Sequence, residues 1–180
     1  EANITTAAGD VGIFQSTGAN TVQCISYTKA DGTSVVSAGI GTIPVLSVRA
    51  SADQTGIATS TITKVTMATE VIDSNSDYTG GVWTPTEAGK YLVKGNVQVE
   101  GLSDDDNVRI YIYQNSTAMA RTFIVCGTQG SITPEVVAIL DMDGTSDTAD
   151  IRAWHDHGSD ANFGYQGVSC PHMQAFKIAE

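Results

Sequence analysis

The stretch W-T-P-T-E-A-G-K-Y, from Trp83 to Tyr91, is the most distinctive segment of this 180-residue chain. Pro85 lacks a backbone N–H and has a fixed φ, so it suits a strand end or a turn. Gly89 can adopt a positive φ, while Trp83 and Tyr91 offer large apolar faces to a core. No histidine or second acid accompanies Glu87 in the segment. We therefore interpret the segment as a structural corner between two strands, with Glu87 as a solvated turn carboxylate and not a catalytic group.

Outward from this corner, strand alternation recurs and helical periodicity is almost absent. In Y-L-V-K-G-N-V-Q-V-E, residues 91–100, apolar and polar side chains alternate, which indicates a half-buried antiparallel strand. V-R-I-Y-I-Y, residues 108–113, alternates in the same way, and we expect these two segments to pair as a hairpin. The threonines and valines of residues 63–72 favour an extended chain over a helix. Further strands are predicted at residues 120–126, 135–140, 150–155 and 172–178.

The composition agrees with a packed β protein. The chain is 41% hydrophobic and 16% charged and contains 18 glycines, with abundant Thr, Ser, Val and Ile, which places it in the β-rich globular class. Its length suffices for one full core plus a shorter attached segment. Short strands separated by polar turns predict an all-β fold, a two-sheet sandwich or jelly roll.

The first part of the chain differs in character from the rest. It is rich in Gly, Ala, Ser and Thr and contains the short strand V-Q-C-I-S-Y, residues 22–27. Such a segment can form hairpins, but an isolated hairpin is at best marginally stable, so we expect it to need the main domain or other chains as a partner. We place a boundary near Ile43 and Pro44. This gives an N-terminal attachment or shaft-like β segment, residues 1–43, and a head domain, residues 44–180.

The charge balance excludes some function classes. Nine Lys and Arg against twenty Asp and Glu give a net charge of −11, and the basic residues are scattered along the sequence, so we do not expect nucleic-acid binding. No apolar run reaches the roughly 18 to 20 residues that a membrane-spanning helix requires, so no membrane insertion is expected. The chain begins at Glu1 without a methionine, which we interpret as a fragment or a processed form.

The three cysteines Cys24, Cys126 and Cys170 are far apart and odd in number, which argues against a disulfide framework. Buried free thiols are the expectation, although Cys126 and Cys170 could meet across a sheet. No Cys-x-x-Cys occurs, so a zinc site built on thiolates is not expected.

An acidic run, D-M-D-G-T-S-D-T-A-D, extends from Asp141 to Asp150. Hard oxygen ligands such as Asp141, Asp143 and Asp147 suit calcium, but no bidentate Glu closes a twelve-residue loop. A plain hairpin turn between two strands is the favoured alternative. The turn that contains Asp104, Asp105 and Asp106 is a second and weaker calcium candidate.

From Pro44 onward, the order of features resembles a known family. The segments that carry it are P-V-L-S-V-R-A-S-A-D-Q-T, the Trp83–Tyr91 corner, V-R-I-Y-I-Y-Q-N-S, V-V-A-I-L-D-M-D-G and M-Q-A-F-K-I. They resemble the jelly-roll family of the complement C1q globular head and tumour necrosis factor, and more closely its versions in structural proteins of tailed bacteriophages. The resemblance covers about three quarters of the chain. It implies a ten-stranded, two-sheet sandwich that assembles as a trimer about a threefold axis.

A threefold axis would give the motif A-W-H-D-H-G a chemical role. His155 and His157 point to the same side of a strand, so three copies could present six imidazoles to one axial transition metal, as the His-x-His motif does in bacteriophage fibres. A surface or loop role for the two histidines is the alternative. Asp156 points away from them along a strand.

The function that follows from the resemblance is non-enzymatic. We expect a homotrimeric virion protein of a tailed bacteriophage, a fibre or spike tip that binds a host-surface glycan or protein, with residues 1–43 contacting other virion proteins. The alternatives are a capsid decoration trimer that stabilises the phage head, and a secreted lectin-like adhesion domain. No nucleophile motif or phosphate loop points to an enzyme. No cofactor is expected beyond an axial transition metal or calcium.

Receptor contacts are predicted on the long segment from Asp156 to Gly167. The residues that we select there are polar or aromatic, and the alternative for the two aromatic rings is packing at the trimer interface. They are Asp156, Asp160, Asn162, Phe163 and Tyr165.

Overall fold

The computed structural model describes residues 8–19, 21–31, 43–128, 130–167 and 171–180. Strands and turns make up their regular structure, as the alternation predicts, and the described part of the chain contains no helix that is long and apolar enough to cross a membrane. The chain divides into two compact units, Glu1–Thr42 and Ile43–Glu180.

The described part of the first unit is an antiparallel hairpin of β1 (Val11–Gly18) and β2 (Thr21–Thr28). The hydroxyl of Tyr27 donates a hydrogen bond to Asp10 Oδ2 over 2.5 Å, and this bond raises the pKa of Tyr27 to about 12. Every residue of β1 is exposed, including the large apolar side chains of Val11, Ile13 and Phe14. The rest of the predicted attachment segment, residues 1–7, 20 and 32–42, lies outside the described residues.

The described residues of the second unit form three antiparallel sheets. The first is five-stranded, in the order β14 (Glu135–Asp143), β9 (Ala88–Asn96), β17 (His172–Ala179), β3 (Val45–Arg49) and β6 (Thr69–Asp73).

The second sheet follows the order β12 (Thr117–Val125), β11 (Asn107–Gln114), β15 (Ala149–His155), β8 (Val82–Trp83) and β7 (Tyr78–Thr79), and β5 (Thr63–Lys64) also pairs with β15. The third sheet follows the order β13 (Gly130–Ile132), β10 (Gln98–Leu102), β16 (Ala161–Gly164) and β4 (Gln54–Ile57).

The core lies between the two larger sheets. Tyr91 and Val93 of β9 and Ile110 of β11 belong to one buried apolar cluster, to which the third sheet adds Phe163. The two sheets approach closely, since a Cβ on Gly95 of β9 would lie 2.5 Å from Ile151 Cδ1 of β15. Only glycine leaves room for that packing, and the result is a two-layer sandwich.

One predicted pairing is wrong. Residues 91–100 and 108–113 do not form a hairpin, because β9 pairs with β14 and β17, whereas β11 pairs with β12 and β15. The predicted 91–100 strand is also interrupted at Val97. β9 ends at Asn96, and β10 begins at Gln98 and belongs to the third sheet. Alternation predicted both strands correctly, but strand partners depend on contacts far away in sequence.

Candidate functional site

The outer face of the five-stranded sheet carries four rows of side chains that run across the strands. Because side chains alternate along each strand, the inner residues Tyr91, Val93 and Met173 enter the core while their neighbours face outward. The strand pairing aligns these outward neighbours into rows that differ in polarity. From one end of the sheet to the other, the rows are Asp141 and Lys90; Ile139, Leu92, Phe176 and Val45; Val137, Lys94, Gln174, Ser47 and Ile72; and Glu135, Asn96, His172, Arg49 and Thr69.

The middle of this face is apolar and exposed. Ile139 is 60% exposed and Val137 is 57% exposed on the edge strand β14, and Phe176 is 41% exposed on the central strand β17. A contiguous group of large apolar side chains on a surface marks an interaction site more often than chance. We call this group the apolar face; its members are Val45, Ile72, Leu92, Val137, Ile139, Phe176 and Ile178.

The sequence carries a signal for the apolar face that the strand prediction did not use. The run V-V-A-I-L, residues 136–140, is continuously apolar instead of alternating. Such a run is typical of a strand that is covered on both faces. In β14 one face is covered by the core through Val136 and Leu140, and the other face carries Val137 and Ile139.

Charged residues of both signs border the apolar face. Lys90 Nζ lies 2.7 Å from Asp141 Oδ2 at one end, and Lys94 Nζ lies 2.9 Å from Glu135 Oε1 at the other. Exposed pairs of this kind contribute little to the stability of one copy. They do give the rim both acidic and basic groups, so one copy of the face is electrostatically compatible with another.

A shallow depression of about 530 Å³ lies at the polar end of the same face. Most of its lining residues are polar. They belong to the adjacent strands β14, β9, β17 and β3 and to the edge strand β6. The lining residues are Ser47, Arg49, Val71, Asn96, Glu135, His172 and Gln174.

The Trp83–Tyr91 segment lies where β8 leads into β9. The rings of Trp83 and Tyr91 are buried and pack edge to face with centroids 5.0 Å apart. The Tyr91 hydroxyl donates to the carbonyl of Glu87 over 2.8 Å. Burial, with a smaller contribution from nearby carboxylates such as Glu87, raises the pKa of Tyr91 to about 12.

Further contacts stabilise this corner. Pro85 is buried, and Asp77 accepts hydrogen bonds from both the backbone N–H and the hydroxyl of Thr86. Gly89 has a φ of +147°, and a Cβ there would lie 2.6 Å from the carbonyl oxygen of Ala179. The Glu87 carboxylate lies 3.7 Å from Lys177 Nζ. All of these contacts are structural.

The two histidines of the predicted axial metal site occupy different environments. His155 is fully buried in the core, and its Nε2–H donates to the carbonyl of Ile57 over 3.0 Å. Its Nδ1 has no hydrogen-bond partner within the described residues. His157 lies beyond the end of β15, with Nδ1 2.6 Å from Asp106 Oδ2. A buried His155 leaves no exposed imidazole pair for an axis between copies, so this geometry gives the axial-metal hypothesis no support.

The acidic run after β14 is a connection between two sheets. β14 and β15 belong to different sheets, so the predicted hairpin turn is wrong. Asp143 accepts hydrogen bonds from the backbone N–H groups of Asp147, Ser146 and Thr145, and these bonds hold its pKa well below the usual range. Asp141 pairs with Lys90.

Asp147 is also engaged within the protein. Its carboxylate accepts from the Gln114 and Asn115 side chains and from the N–H of Asp143. Within the described residues, no group of three or more His, Cys, Asp or Glu side chains could hold a metal ion. The calcium site therefore stays a prediction, because the described residues of this loop do not bring three acidic side chains together around one point.

The predicted receptor segment contains a core strand. Residues 161–164 form β16, and Phe163 is fully buried, so its ring is not exposed for the receptor contact that the sequence predicts. The reason is that β16 pairs with β10 and β4 and turns Phe163 inward. Asn162 accepts a hydrogen bond from Gly56 N, which further ties the segment to β4.

The other selected residues of that segment are more accessible. Asp160 is exposed, and Tyr165 is partly exposed with its backbone N–H bonded to Asp53 Oδ1 over 2.6 Å. Asp156 is partly buried and accepts from both the backbone and the side chain of Asn107. Receptor contact by these three residues stays a prediction.

The cysteines carry no disulfide that the structure describes. Cys126 is buried and has a free thiol that donates to the carbonyl of Thr128 over 2.8 Å. Cys24 lies half-buried on β2. Cys170 lies outside the described residues, so a meeting of Cys126 with Cys170 stays a prediction.

Comparison with known proteins identifies the fold. No family model and no curated protein sequence matches the chain. Among solved structures, the globular domain of zebrafish complement 1qA is similar at a TM-score of 0.54 and 16% identity, over 76% of this chain and 98% of that one. Murine APRIL is similar at 0.57 and 9% identity, over 76% of this chain and 99% of that one.

A third similar structure is the Eiger TNF of S. frugiperda, with a TM-score of 0.56 and 11% identity over 77% of this chain and 94% of that one. The second unit therefore has the two-sheet jelly-roll fold of C1q and TNF domains, as the sequence resemblance implies.

Proposed function

We propose that this protein is a non-enzymatic binding head that works as a homotrimer assembled through the apolar face. The observation that carries the proposal is the exposure of Val137, Ile139 and Phe176 on a regular sheet. Burying such side chains contributes about 1.5 to 3 kcal/mol each, so an uncovered face is a strong driving force for association. The charges of both signs on its rim make further copies of this chain the fitting occupants. The number three comes from the sequence resemblance, and the C1q and TNF fold supports it.

The non-enzymatic part of the proposal rests on how the reactive side chains are used. His155 and Asp143 hold local structure through the hydrogen bonds described above, and His157 pairs with Asp106. Glu87 lies 3.7 Å from Lys177 Nζ, and Asp77 in the same corner accepts two hydrogen bonds from Thr86. All of these side chains take part in structural hydrogen bonds or ion pairs, which suits a scaffold that binds through its surface.

The assembly is tested by a charge placed on the apolar face. Ile139→Glu should convert the assembled protein to monomers, because each interface would have to bury a carboxylate without a partner. Ile62→Glu is the matched control, since Ile62 is also exposed but lies in the loop between β4 and β5. Sedimentation velocity should show a monomer for the first variant and an unchanged assembly for the second. Equal behaviour of the two variants would reject the apolar face as the interface.

We further propose that the head is carried on a tailed-phage virion, as a fibre or spike tip. The support is the resemblance of the sequence from Pro44 onward to phage structural modules, together with the exposed apolar residues of the β1–β2 hairpin. A hairpin whose first strand is exposed along its whole length suits attachment to a larger assembly. The same feature suits a capsid decoration protein, which is the second candidate.

Electron microscopy of purified virions separates the two candidates. Gold-labelled antibodies against residues 44–180 should decorate the tail tip if the protein is a fibre or spike. Labelling of the head would favour the decoration protein. Absence of the protein from purified particles would contradict both.

A further inference from the structure

The outer face of the six-stranded sheet concentrates basic and aromatic side chains. Strand pairing places Phe123, Arg109 and Trp154 in one row. The next row contains Arg121, Tyr111, Arg152 and Lys64. Four of the nine Lys and Arg residues thus gather on one surface of a chain whose net charge is −11, although they are scattered along the sequence. We call this surface the arginine–aromatic face; it consists of Lys64, Arg109, Tyr111, Tyr113, Arg121, Phe123, Arg152 and Trp154.

Aromatic rings hold two of the guanidinium groups in place. The Arg109 guanidinium carbon lies 4.2 Å from the ring centroid of Trp154 and 5.7 Å from that of Phe123. The guanidinium carbon of Arg152 lies 4.1 Å from the ring centroid of Tyr113. Contact with a ring face fixes a guanidinium group and leaves its in-plane N–H donors free for other partners.

The charges on this face are only partly neutralised within the protein. Arg152 forms a bidentate pair with Asp150, with N–O distances of 2.6 and 2.9 Å. By contrast, Arg109, Arg121 and Lys64 form no ion pair with a carboxylate in the described part of the chain. The geometry therefore leaves three cations available beside one that is already paired.

A shallow depression on this face has a cation at its edge. It encloses about 240 Å³ and is lined by Tyr111, Ala118, Met119, Ala120 and Arg121. The side chains of Met119 and Phe123 nearby on β12 are each about half exposed. The face thus offers separated cations together with exposed apolar surface, a combination that suits a ligand with both acidic groups and apolar ring faces.

We propose that the arginine–aromatic face binds a carboxylate-bearing saccharide, such as a polymer of uronic acids. The ligand carboxylates would accept hydrogen bonds from Arg109 and Arg121, whose planar donors match a carboxylate. The apolar faces of its sugar rings would contact Phe123 and Met119. This inference rests on the proposed role as a binding head, and it moves the ligand surface from the segment after β15 to the sheet itself.

Charge decides between a saccharide and a nucleic acid on this surface. A nucleic acid brings a dense line of phosphates, and its affinity depends on many cations that follow the backbone. Here Asp150 neutralises Arg152, and the chain as a whole is strongly acidic. Sparse carboxylates on a saccharide match three separated cations and meet less repulsion from the rest of the protein.

The binding test uses the full chain with an oligogalacturonate probe, and a neutral maltooligosaccharide of equal length serves as the ligand control. Trp154 should report binding by a change in fluorescence, because it is partly exposed whereas the other tryptophan, Trp83, is buried. Arg121→Gln should weaken oligogalacturonate binding at least about tenfold, since it removes a charged hydrogen-bond donor. Lys29→Gln is the matched control, with the same change in net charge and a site in the N-terminal unit. It should bind like the wild type.

Several outcomes would overturn the inference. They are equal binding of the neutral saccharide, equal weakening by Arg121→Gln and Lys29→Gln, or absence of oligogalacturonate binding. Tighter binding of single-stranded oligo-dT with the same sensitivity to Arg121→Gln would assign the face to nucleic acid instead. Light scattering on the same samples separates the two proposals, because Arg121→Gln should lose binding and keep the wild-type mass. A wild type that is monomeric and still binds oligogalacturonate would reject the proposed assembly and would support the saccharide site.

Discussion

Tyr91 lies on one layer of the sandwich and contacts the other layer. Its ring packs against Trp83 of the other large sheet, and its hydroxyl closes the turn through Glu87. The sequence predicted that both rings would enter the core, because an aromatic pair around a Pro and Gly turn has few other uses. It could not predict the hydroxyl bond or the role of Asp77, since each depends on the folded path of the chain.

Tyr91→Phe isolates the contribution of that hydroxyl. We expect the free energy of unfolding to fall by about 1 kcal/mol, because the variant keeps the ring and loses one partly buried hydrogen bond. Urea denaturation measures the difference. Tyr165→Phe is the control, because its hydroxyl has no hydrogen bond that the described structure records, and a similar loss in both variants would contradict this role.

Asp143 makes the stability of its loop depend on pH. Hydrogen bonds from the N–H groups of Asp147, Ser146 and Thr145 lower its pKa in the folded protein, so it binds a proton more readily when unfolded. Its stabilising contribution is therefore present above the ordinary Asp pKa of about 4 and is lost as the pH falls toward the folded pKa.

The check is thermal unfolding between pH 7 and pH 3 for the wild type and Asp143→Asn. We expect the variant to be less stable at pH 7 and to lose less stability on acidification. Parallel pH profiles would mean that Asp143 does not carry this dependence.

At the scale of the strand, β16 shows where sequence reasoning fails. The segment H-G-S-D-A-N-F-G-Y-Q-G is rich in turn residues, so its sequence predicts a loop. Pairing of only four residues with β10 and β4 nevertheless makes it a strand and buries Phe163. Longer strands such as β11 and β14 were predicted because their patterns are local. Short strands depend on partners distant in sequence, which a local pattern does not contain.

Phe163→Ala distinguishes a core residue from a receptor contact. We expect it to lower the free energy of unfolding by about 3 to 5 kcal/mol, as removal of a buried ring leaves a cavity. Tyr165→Ala, at a partly exposed neighbour, should lower it by much less. A Phe163→Ala protein with wild-type stability in guanidinium titrations and impaired ligand binding would restore the receptor role.

At the scale of the whole molecule, the outer faces of the two large sheets differ in their chemistry. The five-stranded sheet exposes the apolar face, which we propose as the assembly surface, and the six-stranded sheet exposes the arginine–aromatic face. The jelly-roll fold followed from the sequence because its corner and strands recur in order. The two faces did not, because each is assembled from strands that are distant in sequence, such as β9 with β17 and β11 with β15.

Native mass spectrometry of the wild-type chain tests the central claim, assembly through the apolar face, most directly. One chain has a mass of 18.8 kDa, so a trimer has three times that mass, about 56 kDa. We expect the trimer to dominate at micromolar concentration and to disappear in Ile139→Glu. A wild type that remains at 18.8 kDa under these conditions would contradict the account.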